Sequence, residues 1–160
     1  MLLGKILAEA AMKEGKHVTW LPCYGPEVRG GTAHCLVVIS DQEIGSPYIK
    51  EADSLIIMNE LSLNKFGQRL KKAGLLILNS SLAESKDKHK NIASYPFTDI
   101  AVKLGNIKVA NVVALGCLLA RKKIVQLKSV SEVMAQMAPK GKEELVRINR
   151  KALEEGVSLR

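Results

Sequence analysis

The strongest constraint on how this chain folds comes from its short apolar runs, HCLVVIS (His34 to Ser40), SLIIM (Ser54 to Met58) and LLIL (Leu75 to Leu78). They are too short for buried helices, and they lack the polar alternation of a strand with one wet face. Such runs fit strands covered on both sides. The segments between and after them carry apolar residues at helical spacing. Short buried strands alternating with helices predict an α/β fold, a three-layer α/β/α arrangement around a mostly parallel or mixed central sheet.

The remaining elements follow the same logic. Leu2 to Glu14 reads as a helix with Leu3, Ile6, Leu7 and Ala10 on one stripe, stopped by Gly15. His17 to Leu21 reads as a strand ending at Pro22. A helix is predicted from Leu63 to Lys72, with Ser62 as its N-cap and Gly74 closing it. Ile92 to Tyr95 is a short strand ending at Pro96, and a short helix begins at Thr98 or Asp99 and stops at Gly105. Val109 to Ala120 (VANVVALGCLLA) reads as a buried helix whose Ala110, Ala114 and Gly116 permit close approach. Ser129 to Ala138 and Glu143 to Glu155 are amphipathic. With no repeat, low-complexity tract or dividing linker, residues 1–160 are expected to form one domain.

Composition narrows the chemistry. The longest apolar run, Val112 to Ala120, is far short of the ~20 residues of a membrane span. The N-terminus has no signal-peptide core, so a cytoplasmic protein is expected. Cys23, Cys35 and Cys117 are widely spaced, with no CxxC pair. An iron–sulfur cluster takes about four cysteine ligands, so this chain cannot hold one alone. The net charge of +8 favours acidic partners or phosphate groups, yet aromatic residues are only 4 % of the chain, leaving few stacking platforms for single-stranded nucleic acid.

The sharpest local motif is Tyr24-Gly25-Pro26-Glu27-Val28-Arg29-Gly30-Gly31, on the loop that leaves the first predicted strand. Its glycines and proline fix an unusual backbone path. Arg29 offers a planar fork for a carboxylate or phosphate, and exposed glycine amides approach anions closely. The same residues also suit a rigid connection in which Glu27 and Arg29 pair internally. Asn59 follows SLIIM, and Asn79-Ser80-Ser81 follows LLIL. Polar residues at strand ends line clefts in doubly wound sheets, and equally often cap the next helix. Cys23 and His34 flank the glycine loop as a conceivable cysteine–histidine dyad without an orienting partner. HExxH, GxSxG and Walker A patterns are absent from the sequence, so neither a catalytic residue nor a metal ligand set is assigned.

Read in order, GKILAEAA (Gly4 to Ala11), TWLPCYGPEVRGGTAHC (Thr19 to Cys35), Ser40-Asp41, IGSP (Ile44 to Pro47), ADSLIIMN (Ala52 to Asn59), GLLILNSS (Gly74 to Ser81) and LGNIKVANVVALG (Leu104 to Gly116) resemble the gamma subunits of 2-oxoacid:ferredoxin oxidoreductases. The 2-oxoglutarate and 2-oxoisovalerate types are the nearest in pattern. The resemblance implies a reaction of anaerobic metabolism in which a 2-oxoacid, coenzyme A and oxidised ferredoxin give acyl-CoA, carbon dioxide and reduced ferredoxin. It also implies that thiamine diphosphate, Mg2+ and [4Fe-4S] clusters are held by companion alpha, beta and delta chains, with no cofactor held by this one. On that reading Tyr24, Gly25, Glu27, Arg29, Gly30 and Gly31 are candidates for subunit contact or coenzyme A closure. Asn59, Asn79 and Ser80 are candidates for a cleft.

The pattern departs from the resemblance at one place. Members of that family usually begin with a strand and a GGQG-type turn before the helix that opens this sequence at Met1-Leu2-Leu3-Gly4. The expectation is therefore a domain missing the family's first strand, leaning on its partners and self-associating in isolation. A small basic module binding nucleotides or nucleic acid is the competing expectation from charge alone.

Overall fold

The computed structural model describes residues 1–25, 31–85, 91–139 and 141–159. In chain order the elements are α1 (Leu2–Lys13), β1 (His17–Tyr24), β2 (Ala33–Ser40), β3 (Ala52–Ile57), α2 (Glu60–Phe66), a 3-10 turn (Gly67–Arg69), β4 (Leu70–Asn79), β5 (Ile92–Tyr95), α3 (Phe97–Lys103), a second 3-10 turn (Ile107–Val109), α4 (Ala110–Arg121), α5 (Leu127–Met137) and α6 (Glu143–Ser158). The α/β class expected from the sequence is what the chain adopts. Its described strands divide between two sheets, an antiparallel pair β1-β2 and a parallel sheet of order β3-β4-β5. The chain forms two compact units, one of residues 1–49 and 123–146, the other of residues 50–122 and 147–160.

In the first unit β1 and β2 run antiparallel over their whole length, from His17 opposite Ser40 to Tyr24 opposite Ala33. β1 continues through Pro22, where the sequence reading ended it. Proline removes a backbone donor, and a strand of a two-stranded sheet tolerates that loss on its outer edge. A lone hairpin is marginal in water, and helix packing supplies what it lacks. Facing strand positions share one side of the sheet, so Trp20 and Val37 lie on the same side as Cys35. α1 packs there through Gly4. A Cβ at Gly4 would collide with the Cys35 sulfur and stand 3.2 Å from Val37 Cγ2. α1 also buries Ile6, Leu7, Ala10 and Ala11. It is tied to α5 by an ion pair between Lys13 Nζ and Glu132 Oε2 at 2.6 Å. Glu14 Oε1 accepts the Gln126 backbone N–H at 2.7 Å, just before α5 begins. A Lys16–Asp41 ion pair closes the open end of the hairpin.

In the second unit β4 is the central strand, and Leu75 to Asn79 are all buried, with Ile77 at 0 % exposure. A central parallel strand with both faces covered has this profile. Full burial of such side chains stabilises by roughly 1.5–3 kcal/mol each. Phe66, Ile57, Leu76, Leu78 and Ala83 form one core cluster, and α4 buries every residue from Val112 to Leu119. The sequence reading placed a helix over Leu63 to Lys72. The helix is instead earlier and shorter, capped by Asn59 rather than Ser62, with the Asn59 side chain accepting the Ser62 N–H at 2.9 Å. β4 then starts at Leu70.

α4 and α6 touch backbone to backbone. A Cβ on Gly116 would strike the Leu153 carbonyl oxygen and stand 2.9 Å from Gly156 Cα. A Cβ on Gly156 would strike the Val113 carbonyl oxygen and stand 2.9 Å from Gly116 Cα. Backbone cannot retreat as a side-chain tip can, so a methyl group at either position must push the helices apart. Overpacking of this kind costs about 1–3 kcal/mol. Gly116→Ala and Gly156→Ala should each lower the unfolding free energy by about that amount in urea titration, whereas Gly45→Ala, where a Cβ meets nothing within 4 Å, should change it little.

Candidate functional site

Two strand-end regions hold the residues singled out from the sequence, one in each compact unit. In the first unit, Tyr24 ends β1 and is 73 % exposed, followed by Gly25. Gly31 lies exposed two residues before β2. These residues mark where the glycine-rich loop leaves and rejoins the hairpin. Glu27, Arg29 and Gly30 lie outside the described residues. The register sets Cys23 directly opposite His34, so the imagined dyad pair does share one side of the hairpin. The Cys23 thiol, however, aims its weak donor at the Leu21 carbonyl, 3.9 Å away.

In the second unit the carboxyl ends of β3, β4 and β5 form a polar crest. Asn79 is its centre and is fully buried. Its Nδ2 donates to the Met58 carbonyl at 3.0 Å and to Thr98 Oγ1 at 2.9 Å, and its Oδ1 accepts the Thr98 N–H at 3.3 Å. One amide therefore joins the end of β3, the end of β4 and the start of α3. Its backbone carbonyl also accepts the N–H groups of Leu82 and Ala83, both at 3.1 Å. With both side-chain polar atoms engaged inside the protein, Asn79 braces the crest. Asn59 and Ser80 are exposed beside it. Asn59 spends its side-chain oxygen on the first turn of α2, and the Ser80 N–H donates to the Tyr95 carbonyl at 2.9 Å.

Thr98 and Ser81 belong to the same crest. Ser81 Oγ accepts the Asp99 N–H at 3.3 Å. In the sequence Thr98 carried only a helix-start signal, two residues after Pro96, and nothing there linked it to Asn79. Arg121, unmarked in the sequence, holds a second knot. Its guanidinium donates to the Leu159 carbonyl at 2.6 Å and to Tyr95 Oη at 2.9 Å, while lying 5.3 Å from the Tyr95 ring centroid. It also lies 3.2 Å from Cys117 Sγ. Burial pushes the Cys117 thiol above its ordinary range despite the nearby positive charge, so Cys117 is an inert packing group.

Among the described residues no three His, Cys, Asp or Glu side chains converge as a metal site. No described helix is long and apolar enough to cross a membrane.

Comparison with known proteins matches this geometry to one family. The ketoisovalerate oxidoreductase subunit VorA of Methanothermobacter thermautotrophicus is 36 % identical over 158 residues, an alignment covering 96 % of this chain and 32 % of VorA. The chain thus spans about a third of that relative's length. The 2-oxoglutarate synthase subunit KorC of Methanocaldococcus jannaschii is 33 % identical over 149 residues, covering 90 % of this chain and 80 % of KorC. The crystal structure of a keto/oxoacid ferredoxin oxidoreductase gamma subunit from Geobacter sulfurreducens superposes with a TM-score of 0.82 at 30 % identity, covering 98 % of this chain and 88 % of that one. Residues 1–159 match the pyruvate ferredoxin/flavodoxin oxidoreductase family, and the chain belongs to it.

Proposed function

We propose that this chain is the gamma component of a multi-subunit, cytoplasmic 2-oxoacid:ferredoxin oxidoreductase. The assembly decarboxylates 2-oxoglutarate or 2-oxoisovalerate oxidatively, passes the acyl group to coenzyme A and the electrons to ferredoxin. The observation that carries this reading is the family match over residues 1–159, nearly the whole of the chain. It is supported by relatives whose names specify ketoisovalerate and 2-oxoglutarate enzymes. The rival expectation of a nucleotide- or nucleic-acid-binding module draws no support from them.

In this reading both compact units act together as one gamma-type domain. Thiamine diphosphate, Mg2+ and the [4Fe-4S] clusters reside in alpha, beta and delta partners. The chemistry therefore happens elsewhere, and the gamma chain contributes surface and closure. The purified chain alone should be colourless and inactive in 2-oxoacid-dependent reduction of ferredoxin. A brown preparation with stoichiometric iron and sulfide would overturn this.

The glycine loop is the part of the chain proposed to meet coenzyme A or a catalytic partner. Tyr24 and Gly25 lead into it from the end of the hairpin, and Arg29 supplies an anion-binding fork that keeps its charge at physiological pH. Breaking a partly desolvated pair of that kind costs about 2–5 kcal/mol. In a reconstituted complex, Arg29→Ala should lower coenzyme A-dependent turnover or assembly while this chain's own melting curve stays unchanged, and Arg29→Lys should restore only part of the loss. Normal assembly with an unchanged coenzyme A affinity would limit Arg29 to bracing its own loop. Asn79, by contrast, should act through stability. Asn79→Ala leaves Met58 and Thr98 groups unsatisfied and should lower the unfolding free energy by about 1–3 kcal/mol in the isolated chain.

A further inference from the structure

The amino end of the parallel sheet has a feature that the gamma role leaves unused. Along β3 the paired positions Ala52 and Ser54 are two residues apart, while their β4 partners Leu70 and Leu75 are five apart. β4 therefore carries three more residues than β3 over this interval, a bulge within residues 71–74. Gly74 allows it, since a Cβ there would stand 2.6 Å from Leu70 Cδ1 and 2.9 Å from the Lys71 carbonyl oxygen. The bulge carries Lys71 and Lys72 into solvent, in keeping with the way bulges re-aim side chains.

Other cations gather at the same end. Lys71 Nζ meets Asp53 Oδ1 at 2.7 Å, and Lys122 Nζ donates to the Asp53 backbone carbonyl at 2.7 Å. Just before β4, Arg69 lies 5.4 Å and Lys65 5.6 Å from the centroid of the Phe66 ring, which is itself buried. Cation–π contact of this kind limits where the two head groups wander. Asp53 sits among these cations, with Glu51 two residues ahead of it. The Asp53 carboxyl is held below its ordinary value chiefly by the Lys71 hydrogen bond, which outweighs the opposing cost of desolvation, with lesser help from the charges of Lys71 and Lys122. Its ion pair with Lys71 is exposed and screened, so it adds little to stability.

We propose that Lys65, Arg69, Lys71, Lys72 and Lys122 form a docking surface for the acidic face of a partner protein. Charge complementarity selects the occupant. A guanidinium steadied on a ring presents two parallel donors to a carboxylate, and lysines on a bulge reach opposing acids without backbone adjustment. Nucleic acid fits less well, because Phe66, the aromatic ring of this patch, is buried at 5 % exposure and offers no face for base stacking. The proposal is independent of the oxidoreductase assignment, since it concerns where an acidic partner sits and not what reaction follows.

Fluorescence titration of the full chain with a labelled glutamate-rich peptide, beside single-stranded DNA of equal charge, tests it. Reversing Arg69 and Lys72 together (Arg69→Glu, Lys72→Glu) should weaken peptide binding by about tenfold or more. Reversing Lys128 and Lys142, exposed residues of the other compact unit, changes net charge equally and should alter binding by less than about twofold. If the reversed double variant melts early, Arg69→Gln with Lys72→Gln replaces it, with about a threefold loss expected. Equal weakening by both pairs would reduce the effect to overall charge and overturn the proposal. So would tighter binding of the DNA that depends on the same residues.

Discussion

The second compact unit depends on the contact where two helix backbones meet at Gly116 and Gly156. α4 covers β4, the most buried of the described strands, and it has almost no polar residue along the covered stretch. A helix so apolar must itself be covered. α6 does this by coming closer than side chains allow, and Arg121 then fastens the end of α6 by donating to the Leu159 carbonyl. Sheet, α4 and α6 thus form a stack in which the outermost layer is positioned by missing side chains. The polar crest is built on that stack, because Asn79 is the last residue of the strand at its centre.

How much of this was legible depends on the range over which each signal acts. The three unbroken apolar runs lie where β2, β3 and β4 lie, but only the run in β4 is buried throughout; His34 to Ser40, expected to be covered on both faces, is half-buried in the antiparallel pair. The stretch from Leu63 to Gly74 misled for a physical reason. Its leucines and lysines recur at helical spacing, yet the chain leaves the helix at Phe66 and spends Lys71 to Gly74 on a bulge that no local pattern encodes. Asn59 and Ser62 were both plausible caps, and the choice rested on which backbone amides were left without partners, a matter of three residues of register.

The candidate site shows the same division. Asn59, Asn79 and Ser80 could be found by position, since polar residues directly after buried runs are conspicuous. Their roles could not be read that way. Asn79 acts across 19 and 21 residues, to Thr98 and Met58, and Arg121 across 26 and 38, to Tyr95 and Leu159. Such separations leave no trace in composition or periodicity. The family resemblance succeeded where these failed because it draws on the order of many short segments at once.

The register of the β1-β2 hairpin has a consequence for how this chain meets oxygen. Cys23 stands opposite His34, and Cys35 opposite Pro22. Neighbouring positions along a strand project to opposite sides, so the two thiols are separated by the thickness of the sheet itself. They are close in the ladder yet cannot satisfy the geometry of a disulfide without unpairing the strands. Air therefore cannot staple the hairpin shut from within. An oxidised dimer joined through Cys23 would instead be a bond between molecules, and a reductant would return it to the native chain without refolding.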